Sequence, residues 1–308
     1  MSRPEGRATM SGSTRSTRRA FLGTAVGLAA LGVATAAGPA SGATAAGAVG
    51  TGADRCRRRR IPPSGIGMHL YTMRTPLATD FRGTLERLAE IGYATVGVSG
   101  RHGHSAADIR RMLDETRLRA VLEHVPYTTV AGSGLAQAIE DVRTLGGKWV
   151  VVPSLPDTMH SPAGYREAAR QFNAAGRIAR QSGLRVLFHN HDADHVVVDG
   201  ENLYGILLKE TDPELVGFEL DLYWAAKGGD DPGRLFVEHP GRFPALHVKD
   251  MAANGGFEDV GSGVLDFPAM FDTARSGGVK QWLVEHDAPA DPFVSALNSY
   301  RYLSRLRY

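Results

Sequence analysis

The chain of 308 residues has a single cysteine, Cys56, so no intramolecular disulfide can form and the fold must rest on its core. It has no apolar run long enough for a stable membrane span, since the best stretch, 23–37, is short and diluted by glycine. No strand-like segment leads into a dinucleotide-binding glycine fingerprint; Val98-Ser99-Gly100-Arg101-His102-Gly103 has the wrong spacing. After residue 60 there is neither an internal repeat nor a low-complexity segment. Basic surplus is missing too. The formal net charge is +2, but beyond Arg60 the chain carries 25 basic against 31 acidic residues. That balance speaks against a nucleic-acid partner. What remains is the composition of a globular protein, 43% hydrophobic and 22% charged.

The first residues belong to something other than the core. Ser16-Thr17-Arg18-Arg19-Ala20-Phe21-Leu22 sets a twin-arginine pair before the uncharged run, and Ala43-Thr44-Ala45 offers a small-residue cleavage site. Residues 1–45 therefore read as a twin-arginine export signal, and 46–63, with the run Arg55-Cys56-Arg57-Arg58-Arg59-Arg60, as a flexible linker. The expected location is periplasmic, cell-surface or extracellular, with no stable membrane span after processing.

From residue 64 onward, short apolar runs alternate with helical patterns. Strands are expected at 65–70, 94–98, 120–124, 149–153, 185–190, 216–221, 245–249 and 281–285. Helix starts are marked between them. Thr79-Asp80 precedes the amphipathic 81–91, Ser105 opens 106–116, and Ser161-Pro162 and Asp291-Pro292 each put a capping side chain before a first-turn proline. Eight strands alternating with eight helices predict parallel βαβ units, and the count of eight favours a closed (β/α)8 TIM barrel over residues 64–308.

The chemistry collects where strands end. His189 and His191 lie two apart, so they share one side of their strand. Asp221 closes an apolar run, with Glu219 on the same face as a competitor. His247 lies between Leu246 and Val248, and Glu285 follows Trp282-Leu283-Val284. In a parallel barrel these strand ends meet at one face. Imidazoles with carboxylates make a mixed nitrogen and oxygen site that suits Mn, Zn, Co or Fe better than Mg. Gripping adjacent hydroxyl and carbonyl oxygens, such an ion acidifies the intervening C–H. His69, His124, Trp224 and Arg74 are candidate substrate contacts, and Lys249 a candidate acid.

Taken in order, His189-Asn190-His191-Asp192, Glu219-Leu220-Asp221-Leu222-Tyr223-Trp224, Gly229-Asp230-Asp231-Pro232, His247-Val248-Lys249-Asp250, Val260-Gly261-Ser262-Gly263-Val264-Leu265-Asp266-Phe267 and Glu285-His286-Asp287 resemble the sugar phosphate isomerase/epimerase family with the xylose-isomerase-like TIM barrel. The resemblance covers residues 64–306. It implies one divalent metal held by His189 or His191, Asp221, His247 and Glu285, with Glu285, His189 and Lys249 as the groups that move protons. It also implies a small carbohydrate as partner and leaves a homo-oligomer open. The implied activity is isomerisation or epimerisation of a keto-sugar or keto-polyol through an enediolate. One departure points elsewhere: His189 stands where the epimerases carry a glutamate base, and His-Asn-His more closely resembles inosose dehydratases and lyases of 3-keto-glycosides. A lyase or dehydratase is the alternative, and a non-catalytic carbohydrate-binding barrel a second one.

Overall fold

The computed structural model describes residues 59–308. The expected export signal and linker residues 46–58 lie outside them. Eight parallel strands close a barrel: β1 (Ile66–His69), β2 (Thr95–Val98), β3 (Arg119–His124), β4 (Trp149–Val152), β5 (Arg185–His189), β6 (Val216–Asp221), β7 (Ala245–Val248) and β8 (Gln281–Val284), with β8 pairing back onto β1. Each expected strand is present, trimmed by a residue or two at most positions. No helix among the described residues is long and apolar enough to cross a membrane.

The outer ring holds eight principal helices: α1 (Phe81–Ile91), α2 (Ala106–Thr116), α3 (Leu135–Leu145), α4 (Pro162–Gln181), α5 (Leu203–Glu210), α6 (Pro232–Glu238), α7 (Phe267–Gly277) and α8 (Pro292–Arg305). Their starts follow from the caps. Asp80 accepts from the Gly83 N–H, Ser105 from that of Asp108, Ser161 from that of Gly164, and Asp291 from those of Phe293 and Val294. Each satisfies a first-turn donor that the helix cannot, an effect of about 1 kcal/mol per cap.

Strand alternation builds two cores. Side chains that point outward, such as Val186 and Phe188 on β5 and Leu220 on β6, pack beneath the helices in one large apolar cluster. A smaller one, of Leu122, Trp149, Val151, Leu187, Ala245 and Leu283, fills the barrel interior. Above it, towards the carboxyl ends of the strands, inward positions turn polar. Register decides which of them meet: His189 is opposite Glu219, and Asp221 opposite His247. At β2, Gly97 faces His69, and a Cβ there would sit 2.7 Å from the His69 ring. The missing side chain is what admits the imidazole.

The expected linker is fastened at its end rather than loose. Arg59 exchanges two backbone hydrogen bonds with Tyr308, at 2.8 and 3.1 Å, and Ile61 is buried.

Candidate active site at the barrel mouth

A cavity of ≈ 430 Å³ opens at the carboxyl ends of the strands, walled in part by His69, His124, His189, His191, Lys249 and Glu285. His247, Glu219 and Asp221 lie directly beneath, all fully buried.

His247 is the hub, and its two ring nitrogens face different partners. Nδ1 lies 2.9 Å from Glu285 Oε2 and 3.8 Å from Asp221 Oδ2. Glu285 in turn takes His69 Nδ1 at 2.7 Å. On the other side, His247 Nε2 is 3.0 Å from Glu219 Oε1, while Glu219 Oε2 is 2.7 Å from His124 Nε2 and 3.7 Å from His189 Nδ1. Lys249 completes the first group, its Nζ lying 2.9 Å from Asp221, 2.7 Å from Glu285 and 3.0 Å from Asp287.

Burial taken alone would discharge every one of these groups; their neighbours decide which stay charged. For His69, burial and then the positive fields of His247 and His124 pull the pKa down to about 3. His189 is held well below its usual value by burial and by His247. Both are neutral at neutral pH. In His247 the same burial penalty is outweighed by Glu219 and Glu285, and its pKa rises to about 10. Lys249 is likewise raised, since Asp221, Glu285 and Asp287 overcome its desolvation. Despite burial, Glu219 is held below the carboxylate range by His247 and His124, and Glu285 by Lys249, His247 and His69. Asp221 goes the other way: desolvation raises it, against the pull of Lys249 and His247. Four carboxylates thus share two cations, His247 and Lys249.

This donor chemistry fits a divalent ion. Two sets have ligand atoms close enough to share one: His124, His189, Glu219 and His247, and His69, His247 and Glu285. Within the first, His189 Nδ1 is buried without a hydrogen-bond partner, and His247 Nε2 and Glu219 Oε1 face each other at 3.0 Å outside hydrogen-bonding geometry. Buried polar atoms left without good hydrogen bonds in a dry pocket are costly unless a cation or donor meets them.

The structure groups the expected ligands differently from the sequence. His189, His247 and Glu285 converge. Asp221 is close by, but its carboxylate faces the Lys249 ammonium, and Glu219, the competitor, shares a set with His189 and His247 instead. His191 lies on the cavity wall without joining either set; its ring packs 5.4 Å from Trp224. His69 and His124 reach the cavity wall, each bound to a buried carboxylate. Trp224 is behind His191, among Tyr223 and Phe257, and not on the wall. Arg74, expected as a substrate contact, donates from Nη1 and Nη2 to the carbonyls of Tyr71 and Asp287, at 2.9 and 2.6 Å, and so clamps the rim between the β1 and β8 loops. Two further residues near the site carry little sequence signal. Asp287, which pairs with Lys249, is marked only as third in Glu285-His286-Asp287. His195 had no signal beyond its place in a run of histidines.

A barrel with titratable groups at the carboxyl ends of its strands defines a class of enzymes rather than one reaction. Residues 85–303 match the xylose isomerase-like TIM barrel family, and the chain belongs to that family. Among curated relatives, an inosose dehydratase of Lacticaseibacillus casei is 22% identical, the alignment covering 72% of this chain and 88% of that one. A crystal structure of a sugar phosphate isomerase/epimerase from Parabacteroides distasonis is 27% identical, with a TM-score of 0.66 over 78% of this chain and 93% of that one. The fold is shared also with the IolI protein, whose structure holds a zinc atom, at 16% identity and a TM-score of 0.61 over 77% of this chain and 95% of that one.

Proposed function

We propose that the chain is a metal-dependent enzyme acting on a neutral keto-sugar or keto-polyol, and that it takes a proton from the carbon beside the ketone and then expels a β-hydroxyl or alkoxyl group. The observation that carries this is the meeting of imidazole and carboxylate atoms around His247 at the foot of the cavity, His189 Nδ1 among them without a hydrogen-bond partner. His189 and His247, common to the expected ligand set and to the one assembled in the structure, would hold the ion. Glu219 would complete the site without disturbing Lys249, whereas Asp221 and Glu285 would require the ammonium to withdraw. When bound, the ion supplies Lewis-acid polarisation of the ketone and its neighbouring hydroxyl.

The protein's own groups account for the rest. Glu285 is placed to accept the proton, because it lies on the cavity wall and Lys249, His247 and His69 keep its carboxylate ionised. The electron pair of the broken C–H bond moves onto the ketone oxygen, near the Lys249 ammonium. As the enolate reforms the ketone, a double bond forms between the α and β carbons, the β C–O bond breaks, and the proton held by Glu285 returns to the departing oxygen, giving water or an alcohol. Elimination is preferred to epimerisation because the β5 position carries neutral His189 and not a second carboxylate base; the inosose dehydratase relatives agree with it. Isomerisation, named for the Parabacteroides structure, would use the same first step.

The substrate is taken to be uncharged. Among the described residues, Lys249 is the one lysine or arginine on the cavity wall, and three carboxylates already occupy it. Export by the twin-arginine route, proposed from Arg18-Arg19 and the run that follows, would also separate the enzyme from cytosolic sugar phosphates.

The test is to follow elimination, epimerisation and isomerisation by NMR on inososes, 3-keto-glucosides and ketohexoses, with EDTA and after restoring Mn²⁺ or Zn²⁺. Elimination lost in EDTA and regained with metal is expected. Chelator-independent sugar binding without product would make the barrel a binding module. Comparing Glu219→Gln with Asp221→Asn for metal content then identifies the carboxylate ligand.

A further inference from the structure

Behind the site, the segments after β5 and β6 together hold a chain of polar groups with no part in the scheme above. Asp230 Oδ2 is 2.6 Å from His195 Nδ1, and His195 Nε2 is 2.9 Å from Asn190 Nδ2. Asn190 Oδ1 accepts the Asp221 N–H at 2.9 Å, and Asn190 Nδ2 also reaches the Asp221 carbonyl at 3.3 Å. Asn190 is fully buried and His195 4% exposed. None of the three lies on the cavity wall.

Proton positions along this chain are dictated from one end. A backbone N–H can only donate, so Asn190 must turn its oxygen to Asp221 and its amide nitrogen to His195. The amide nitrogen also only donates, so His195 Nε2 must carry a lone pair. The ring proton is then on Nδ1, aimed at Asp230 Oδ2, which accepts it at 2.6 Å. The packing holds the ring in this place. It lies on Tyr204 at 4.5 Å, and Gly228 is close enough that a Cβ would come within 2.6 Å of His195 Cβ.

We propose that Asp230, His195 and Asn190 form a positioning relay: Asp230 locks His195 as the neutral Nδ1–H tautomer, and Asn190, so oriented, pins the end of β6 to the end of β5. The pinned peptide is that of Asp221, and Asn190 is flanked by His189 and His191. The relay therefore sets how the donors of β5 stand against Glu219 and Asp221. These three residues touch neither substrate nor ion. The functional consequence rests on the metal reading of the site, but the tautomer does not.

Two measurements on the full chain test this separately. Long-range ¹H–¹⁵N correlation spectra of the histidine rings between pH 6.5 and 8 should show His195 protonated at Nδ1 and bare at Nε2. A ring protonated at Nε2, or at both nitrogens, overturns the relay whatever the protein binds. Asp230→Asn offers His195 a donor in place of an acceptor, which drives the ring proton to Nε2 against the Asn190 amide. Mn²⁺ should then bind about 10- to 100-fold more weakly, the usual effect of losing an outer partner of a metal site. Asp230→Glu should stay within about threefold of the parent, because it restores the acceptor. If Asp230→Asn lowers the melting temperature but leaves Mn²⁺ affinity unchanged, the network is packing alone and the proposal fails. If the parent binds no Mn²⁺ or Zn²⁺, the metal reading fails, and the ring spectra still decide the relay.

Discussion

Replacing Lys249 with Met keeps the volume of the side chain and removes a buried cation from three carboxylates. Lys249 is 1% exposed and contacts Asp221, Glu285 and Asp287 at 2.7 to 3.0 Å. At such separations each pair is worth about 6 kcal/mol of gross attraction at an effective dielectric of roughly 20. Desolvation of the ammonium cancels much of it, and removing one partner of a buried pair costs about 3–5 kcal/mol net. The carboxylates cannot escape by protonation at pH 8, where neutralising one costs about 5 kcal/mol against an ordinary pKa near 4.3, whereas at pH 5 the same step costs about 1 kcal/mol. Lys249→Met in EDTA should therefore lower unfolding free energy by about 3–5 kcal/mol at pH 8, roughly 10 °C in Tm, and by less at pH 5. Adding Mn²⁺ should recover part of the loss, because a divalent ion can neutralise what the lysine did. Urea unfolding with and without Mn²⁺ reads both effects. A loss below about 1 kcal/mol at pH 8 would refute the reasoning, since it would mean that the carboxylates are solvated or differently paired.

Two more perturbations follow from the same charges and contacts. In EDTA the protein should be most stable near pH 6.5. His69, pulled down to about 3 by burial, and His189, also lowered, contribute stability that is present above the unfolded histidine pKa of 6.5 and lost as pH falls below it. His247, raised to about 10, contributes stability that is present below 6.5 and lost as pH climbs towards 10. Thermal melts from pH 4 to 10 would contradict this if stability kept rising to pH 9. Gly97→Ala should cost about 1–3 kcal/mol by overpacking, because the added Cβ meets His69 at 2.7 Å and Leu122 and Leu283 at 3.0 Å. It should also weaken the bond between His69 and Glu285; an unchanged His69 ring resonance in NMR would show that the wall had yielded elsewhere.

Strands and helix starts were legible in the sequence because their causes are local. Asp80, Ser105, Ser161 and Asp291 cap their helices through bonds to residues two or three positions on, and the apolar runs of the strands need only their own alternation. The convergence of strand ends was legible for a coarser reason: parallel topology carries β5, β6, β7 and β8 to one face whatever their side chains. What spacing does not carry is which atoms meet there. Glu219 and Asp221 share one face of β6, and period two cannot separate them. Their fates are set by register against the neighbouring strands, which puts Glu219 beside His189 and Asp221 beside His247, and by Lys249, whose stem reaches back over the site to claim Asp221. His124, a candidate substrate contact, reaches the cavity wall, and β3 also leans it across the barrel onto Glu219, 95 residues away in sequence. Arg74, a candidate substrate contact, gives two of its donors to carbonyls of the rim, one of them contributed by a loop 213 residues further on. Each of these partners is a matter of tertiary approach at the scale of an ångström. A two-residue shift along β6 would put one of these carboxylates in the other's place while leaving the strand itself intact.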